Sequence, residues 1–303
     1  MRIFMTGATG FIGTATIPEL LAAGHTVAGL ARSDEGAAKL EKAGVEVVRG
    51  TLEDLAVIRK AAEKADGVIH LGFNHDFSKF AENCAVDRGV IGAVGEVLAG
   101  SDRRLIMTSG TGIVRKAEGE PVTENDVNVG AEAMPRALSE TLAEEIAGKG
   151  VRVGIMRLPQ VHDTRKQGLV SYAIVAAKRN GFVTYVGDGS NRWPAAHISD
   201  VAKLYTLAIE KGEPFARYHA VDEEGVSAKA IFDVVGKGLG LPVRSLSLEE
   251  AVTHMGFLGH FVGADLPASS AITRAKLGWK PTGPGLIADL EGMDYLEGLG
   301  ARG

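Results

Sequence analysis

Along the first half of the chain, short apolar or β-branched runs alternate with longer stretches in which apolar residues recur at helical spacing. The runs are RIFMT (2–6), HTVAGL (25–30), VEVV (45–48), GVIHL (67–71), RLIMTS (104–109) and VRVGIMRL (151–158). Between them, helical periods cover about 11–23, 35–43, 55–65, 79–99 and 135–148. Strands that alternate with helices pair in parallel, because each helix carries the chain back across the sheet. The pattern therefore predicts an α/β protein built on a doubly wound parallel sheet. Past Pro159 the rhythm loosens into YVGDGSNRWP, a helix over about 199–211, ARYHAV, a helix near 227–239, VRSLS and a tail rich in Gly and Pro. These residues predict a smaller C-terminal lobe laid on the first sheet.

The segment MTGATGFIG (5–13) joins the first strand to the first helix. Glycines at 7, 10 and 13 permit a tight turn, close approach of backbone to a pyrophosphate, and close packing of helix on strand. Such a Rossmann turn predicts a dinucleotide across the helix N-terminus, with Gly7, Thr9, Gly10, Phe11, Ile12 and Gly13 against it. The spacing departs from the general G-x-G-x-x-G fingerprint, so the flanking strand and helix carry the reading. At the end of the second strand, an NAD site wants a carboxylate and the 2′-phosphate of NADP wants a guanidinium. VAGLARS (27–33) puts Ala31 and Arg32 there and Asp34 late. NADP(H) is expected over NAD(H), with Arg32 and Ser33 on the phosphate; the alternative is that Arg32 is a solvated loop residue.

Composition narrows the picture. With 303 residues, 45 % hydrophobic and 23 % charged, the chain can bury a substantial core. A net charge of −5 without a basic stripe argues against a nucleic-acid partner. Cys84 is the single cysteine, so no disulfide framework or thiolate cluster is expected, and a reducing cytoplasm fits. No apolar run approaches a membrane span and Met1 passes directly into a strand, so neither membrane nor secretory signal is expected. The eight histidines lack metal-ligand spacing, and no metal is expected. A nucleophile elbow, a P-loop lysine and a His-Glu-x-x-His helix are all absent.

TGATGFIG, GTLED (50–54), VIHLGF, LIMTSGT, GIMRLPQVHD and RWPAAHISDVAKL follow one another in a characteristic order and spacing. Over residues 1 to about 240 the chain resembles the extended short-chain dehydrogenases/reductases, the NAD(P)-dependent epimerase/dehydratase group. The resemblance implies that His70–Phe73, Thr108–Thr111 and Pro159–His162 line a nicotinamide. It adds Leu52, Leu71, Gly72, Phe73, Thr108, Pro159 and Val161 to the cofactor-contacting set. It also implies a nucleotide-binding domain of 1–162, to which 196–212 return, and a substrate lobe of 163–195 and 213–303. Arg192 and Trp193 then stand at the edge of that lobe, and His197 beside Asp200 at its junction. A homodimer would form through the helices near 80–99 and 135–148.

The family's chemistry rests on a tyrosine, which gives a proton to the substrate oxygen, and a lysine four residues on, which lowers its pKa and holds the ribose. PRALSE puts Arg136 and Glu140 at those positions, and none of the five tyrosines is followed by a lysine at that spacing. The usual hydroxyl after the fifth strand falls on Gly110, between Ser109 and Thr111. In this the chain resembles the atypical subgroups of the superfamily. Candidate replacements are His75 oriented by Asp76 in FNHDF, His162 in LPQVHD, Arg136 as a charge stabiliser, and the hydroxyls of Ser109 and Thr111. Each has a plain structural counterpart: a helix-capping loop at 74–76, a satisfied polar residue at 162, and a solvated ion-pair stripe of Arg136, Glu140 and Glu144 behind Pro135 as first helical residue. The apolar HMGFLGHFVG (254–263) either walls a substrate pocket or packs a core.

Two functions follow. One is an NADPH-dependent reductase of a small, largely apolar carbonyl, imine or activated alkene with a non-standard proton donor. The other is a catalytically silent NADP(H)-binding redox sensor.

Overall fold

The computed structural model of the chain describes residues 1–117 and 119–295. Its first half runs β1 (Arg2–Thr6), α1 (Phe11–Ala22), β2 (Thr26–Ala31), α2 (Asp34–Lys42), β3 (Glu46–Arg49), α3 (Leu55–Glu63) and β4 (Gly67–His70). It continues with α4 (Phe80–Leu98), β5 (Arg104–Gly110), α5 (Ala137–Gly148), β6 (Arg152–Leu158) and β7 (Gln160–His162). Then come α6 (Leu169–Asn180), β8 (Val183–Val186), β9 (Arg192–His197), α7 (Ile198–Lys211), β10 (Phe215–His219) and β11 (Glu223–Ser227). The chain closes with α8 (Ala228–Leu239), β12 (Val243–Leu246), α9 (Leu248–Met255), α10 (Phe257–Val262), α11 (Ala271–Leu277) and α12 (Leu286–Glu291).

The expected doubly wound sheet is present, with seven parallel strands in the order β10-β6-β5-β4-β1-β2-β3. Side chains alternate across it. Ile3 and Met5 of β1 face α1 and α7, where Ile17, Leu20, Val201 and Leu204 complete one core. Phe4 faces α3, α4 and α5, where Ile58, Val90, Val94 and Ala143 complete the other. The order reverses between β1 and β4, so a crevice opens beyond their C-terminal ends, where ligands bind in open α/β sheets.

Two boundaries differ from expectation. Residues 213–219, assigned from sequence to the lobe, enter the main sheet because β10 pairs with β6. The later segment also returns, with Leu277 and Trp279 buried in the core beneath α1 and α7. β7 leaves the main sheet and pairs with β9, which pairs antiparallel with β11. The lobe has its own core, in which Trp193, Phe232, Val262 and Leu286 are buried. Trp193 is a core residue whose Nε1 donates to Phe261 O at 3.1 Å, and Arg192 is engaged by Asp265 at 2.8 Å. Val262 places part of the 254–263 segment in that core too.

Asp200 ties the C-terminal segment to the nucleotide-binding part. It sits in the first turn of α7, fully buried, while His197 caps the helix by accepting from Ser199 N. Its Oδ2 accepts from Thr282 N at 2.9 Å and Gly283 N at 2.6 Å. Asp200→Ala would strand two backbone donors, at a cost of about 2–5 kcal/mol. Urea unfolding should show the midpoint falling accordingly; an unchanged midpoint would mean that those amides find other acceptors.

Candidate functional site

The glycine turn is close-packed in a way that only glycine permits. Gly7 has φ +66°, and a Cβ there would lie 2.7 Å from Gly72 N and Leu71 C. A Cβ on Gly13 would lie 2.2 Å from Gly7 O, so α1 can approach β1 only without one. Gly10 caps α1 with no side-chain hydrogen bond, which leaves the first amides of the helix without a capping side chain. These features make an anion cradle. Leu52 borders it at Gly72, and Thr9 meets the start of α2 at Gly36. Arg32 and Ser33 are exposed beside it, Ser33 also capping α2 by accepting from Gly36 N at 3.1 Å. The residues present fit the diphosphate of a dinucleotide. Val161, expected to touch the cofactor, instead buries its side chain in the core with α1 and α7.

A hydrogen-bonded chain leads from this turn to α5. Thr6 Oγ1 accepts from Gly72 N at 3.1 Å and donates to His70 Nδ1 at 2.6 Å. His70 Nε2–H then points to Asp87 Oδ1 at 3.1 Å. Asp87, on α4 and buried, accepts from Ser139 Oγ at 2.5 Å and lies 3.0 Å from Arg136 Nη1. Burial pushes its carboxyl upward, but the Arg136 guanidinium and the His70 and Ser139 bonds prevail and hold its pKa below the usual value. Arg136 also donates from Nη2 to Thr108 O at 2.8 Å and lies 3.9 Å over the Phe73 ring. Its side chain is only 12 % exposed. Thr108 Oγ1 donates to His70 O and meets Tyr205 OH, both at 2.7 Å.

Arg136 and Glu140 are therefore not a solvated stripe. Arg136 stands at the N-cap of α5, with Pro135 in the turn before it. Glu140 is fully buried and forms a two-pronged pair with Arg157 of β6, at 2.9 Å and 2.7 Å. Arg157 adds a bond to Asp126 O at 2.8 Å. Glu144 matches the expected ion-pair face only in part: it is paired with Arg217 of β10, not along its own helix. Beside Arg157, burial drives His219 down to about 4, and its Nδ1 donates to Ser269 O at 2.8 Å.

Among the other candidate acids, Asp76 does not orient His75. It caps the short helical turn 77–79 by accepting from Ser78 N and Oγ, and Asn74 accepts from Asp76 N. His75 packs edge-on against Phe73 and Phe77, and Phe77 in turn meets Tyr172 of α6. Solvent reaches its ring, yet the protein crowded around it, with the charges of Arg136 and Lys166, holds its pKa below that of a free imidazole. His75 is then a weak proton source at neutral pH.

His162 is no loop residue. It is buried on β7, its Nδ1–H donates to Asp289 Oδ2 at 2.6 Å, and burial keeps it from charging. Its other ring nitrogen, Nε2, is buried with no hydrogen-bond partner among the described residues. Ser109 Oγ is buried with no partner among the described residues. Thr111 Oγ1 makes only a long 3.4 Å bond, to Leu158 O, and lines a cavity of about 100 Å³ with Val114, Val122, Asp265 and Leu266.

Asp87, Arg157 and Lys166 escape a sequence reading. Asp87 offers one faint signal, an acid inside the apolar period of α4. Lys166, in the turn after β7, holds its Nζ 5.6 Å over the ring of Phe11, the first residue of α1.

The fold and the cradle define a dinucleotide-binding α/β protein. The chain belongs to the NAD dependent epimerase/dehydratase family, whose model matches residues 3–221, and is an NAD(P)-dependent oxidoreductase of the extended short-chain dehydrogenase/reductase superfamily. It is 47 % identical over 297 residues to an uncharacterized protein of Schizosaccharomyces pombe, covering 98 % of this chain and 100 % of that one. It is 27 % identical over 257 residues to the 2-alkyl-3-oxoalkanoate reductase of Stenotrophomonas maltophilia, covering 81 % and 73 %. The UDP-glucose 4-epimerase of Thermotoga maritima shares the fold with a TM-score of 0.75, 18 % identity and 97 % coverage of both chains. No helix among the described residues is long and apolar enough to cross a membrane.

The Glu140–Arg157 pair yields a direct test. Glu140→Gln leaves a buried guanidinium without its counter-charge and should cost about 3–5 kcal/mol in urea unfolding. A loss below about 1 kcal/mol would show that water reaches Arg157.

Proposed function

We propose that the protein is an NADPH-dependent reductase of a small, largely apolar carbonyl, imine or activated alkene, in which Arg136 replaces the family's tyrosine at the reacting atom. The observation that carries this reading is the fixation of Arg136 between the ends of β4 and β5 by Asp87, Thr108 O and the Phe73 ring. Its Nη1 is buried against Asp87 Oδ1 at 3.0 Å and its Nη2 donates to Thr108 O, so the position and orientation of the guanidinium are set. NADPH bound at the glycine turn supplies a hydride. Arg136 cannot release a proton at neutral pH, so its part is to stabilise negative charge as that charge develops.

The proton then comes from elsewhere. Thr111 Oγ1, held by one long bond to Leu158 O, can pass one from water to a carbonyl product. An iminium substrate brings its proton with it. One of the reductases among the relatives is named for a 2-alkyl-3-oxoalkanoate, a ketone acid. Preference for NADPH is inferred from Arg32 directly after β2, where Asp34 comes two residues later and lies 2.6 Å from Arg49.

Two measurements test this. Mixing the protein with NADPH and a panel of small ketones, imines and enones should consume the reduced nicotinamide. Arg136→Met should lower kcat by about 100-fold or more while the KM for NADPH stays within about threefold; an unchanged kcat would remove Arg136 from the reaction. Arg32→Glu should weaken NADPH by about 10- to 100-fold and spare NADH. Equal affinity for both coenzymes in the unaltered protein would overturn the preference.

A further inference from the structure

We propose that Lys166 is the cation that closes on the diphosphate of the bound dinucleotide from the wall opposite the glycine turn, supplying a cofactor-facing charge that α5 lacks. The proposal rests on the reading that a dinucleotide binds at that turn. In the family, α5 carries a lysine toward the cofactor; here Glu140 stands in its place and is locked to Arg157. The nucleotide cleft thus receives no cation from that position.

Lys166 approaches the cleft from the other side. Its backbone is fixed: Asp163 Oδ1 accepts from Arg165 N and Lys166 N, both at 2.7 Å, and Asp163 N donates to Lys166 O at 2.9 Å. Gln160 holds the next residues, its Nε2 donating to Gln167 O and its Oε1 accepting from Leu169 N at 3.1 Å. Gly168 completes the turn at φ +49°, where a Cβ would strike Gln160 Nε2 at 2.5 Å. From this rigid turn the half-buried side chain reaches the Phe11 ring, over the uncapped N-terminus of α1.

Lys166 pairs with no carboxylate among the described residues. Its charge is felt at His75, as is that of Arg136. Lys166 thus lies at the start of α1, itself a positive helix end, and of the two side chains that act on His75 only Arg136 has a carboxylate beside it. A diphosphate laid on the glycine turn supplies the missing counter-charge, and an ammonium can follow it as a flexible point charge.

The test compares the unaltered protein with Lys166→Met, Lys166→Gln and Lys166→Arg, each checked for folding by its thermal midpoint. Binding of NADPH, NADH and ADP-ribose is measured by fluorescence or calorimetry. Lys166→Met and Lys166→Gln should weaken all three by about tenfold and flatten the salt dependence, and Lys166→Arg should stay within about threefold. The proton NMR titration of His75 should move upward in Lys166→Met. Unchanged binding of all three, or loss of NADPH alone, overturns the role of Lys166 and leaves the reductase reading standing. Failure of the unaltered protein to bind any of the three overturns both, whereas binding that weakens as expected without turnover on any substrate supports Lys166 and removes the reductase reading.

Discussion

A buried carboxylate that must be neutralised is the constraint on which this site depends. Asp87 lies under the ends of β4 and β5, away from water, and an ionised carboxylate there is tolerable only with charge and hydrogen bonds around it. Arg136, His70 and Ser139 supply them. Because those three come from α5 and β4, satisfying one carboxylate also sets how α4, α5 and the sheet meet at the crevice. The same chain of bonds continues through Thr6 to the Gly72 amide. The cofactor turn and the candidate reacting position therefore share one rigid framework.

The second buried acid follows the same logic one helical turn later. Glu140 cannot face a ribose, since both its oxygens are taken by Arg157. Arg136 and Glu140 thus form two separate neutral pairs, Asp87–Arg136 and Glu140–Arg157, in place of one cooperating tyrosine and lysine. Restoring either family residue alone would strand the partner: a tyrosine at 136 would leave Asp87 without its guanidinium, and a lysine at 140 would set two cations together inside the protein.

Much of the fold was legible because periodicity survives tertiary context. The six early strands and the helices between them carry distinct apolar periods, which place their bounds within a few residues. Gly7 and Gly13 were legible for a sharper reason, as a Cβ at either would collide with backbone. Pairings across distance were not legible. Arg136 and Glu144 share the spacing of a solvated stripe whether their partners lie on the same helix or on α4 and β10, and no local pattern reports that Asp87 or Arg217 is near. β10 misled for a related reason, its run following the lobe in sequence while its partner β6 lies in the main sheet.

The consequence for chemistry lies in what a guanidinium can do that a phenol cannot, and the reverse. A phenol with a lowered pKa both steadies an oxyanion and gives it a proton, so binding and protonation come from one group. A guanidinium over an aromatic ring steadies charge but keeps its protons. Separating the two tasks shifts the demand onto the substrate. Acceptors whose reduced form is slow to need a proton, or that arrive already protonated, suit such a site better than a simple ketone whose alkoxide must be quenched at once. In the proposed reaction the hydroxyl that would relay a proton from water is that of Thr111, which makes a long 3.4 Å bond and lies one residue beyond the position where the family has its own.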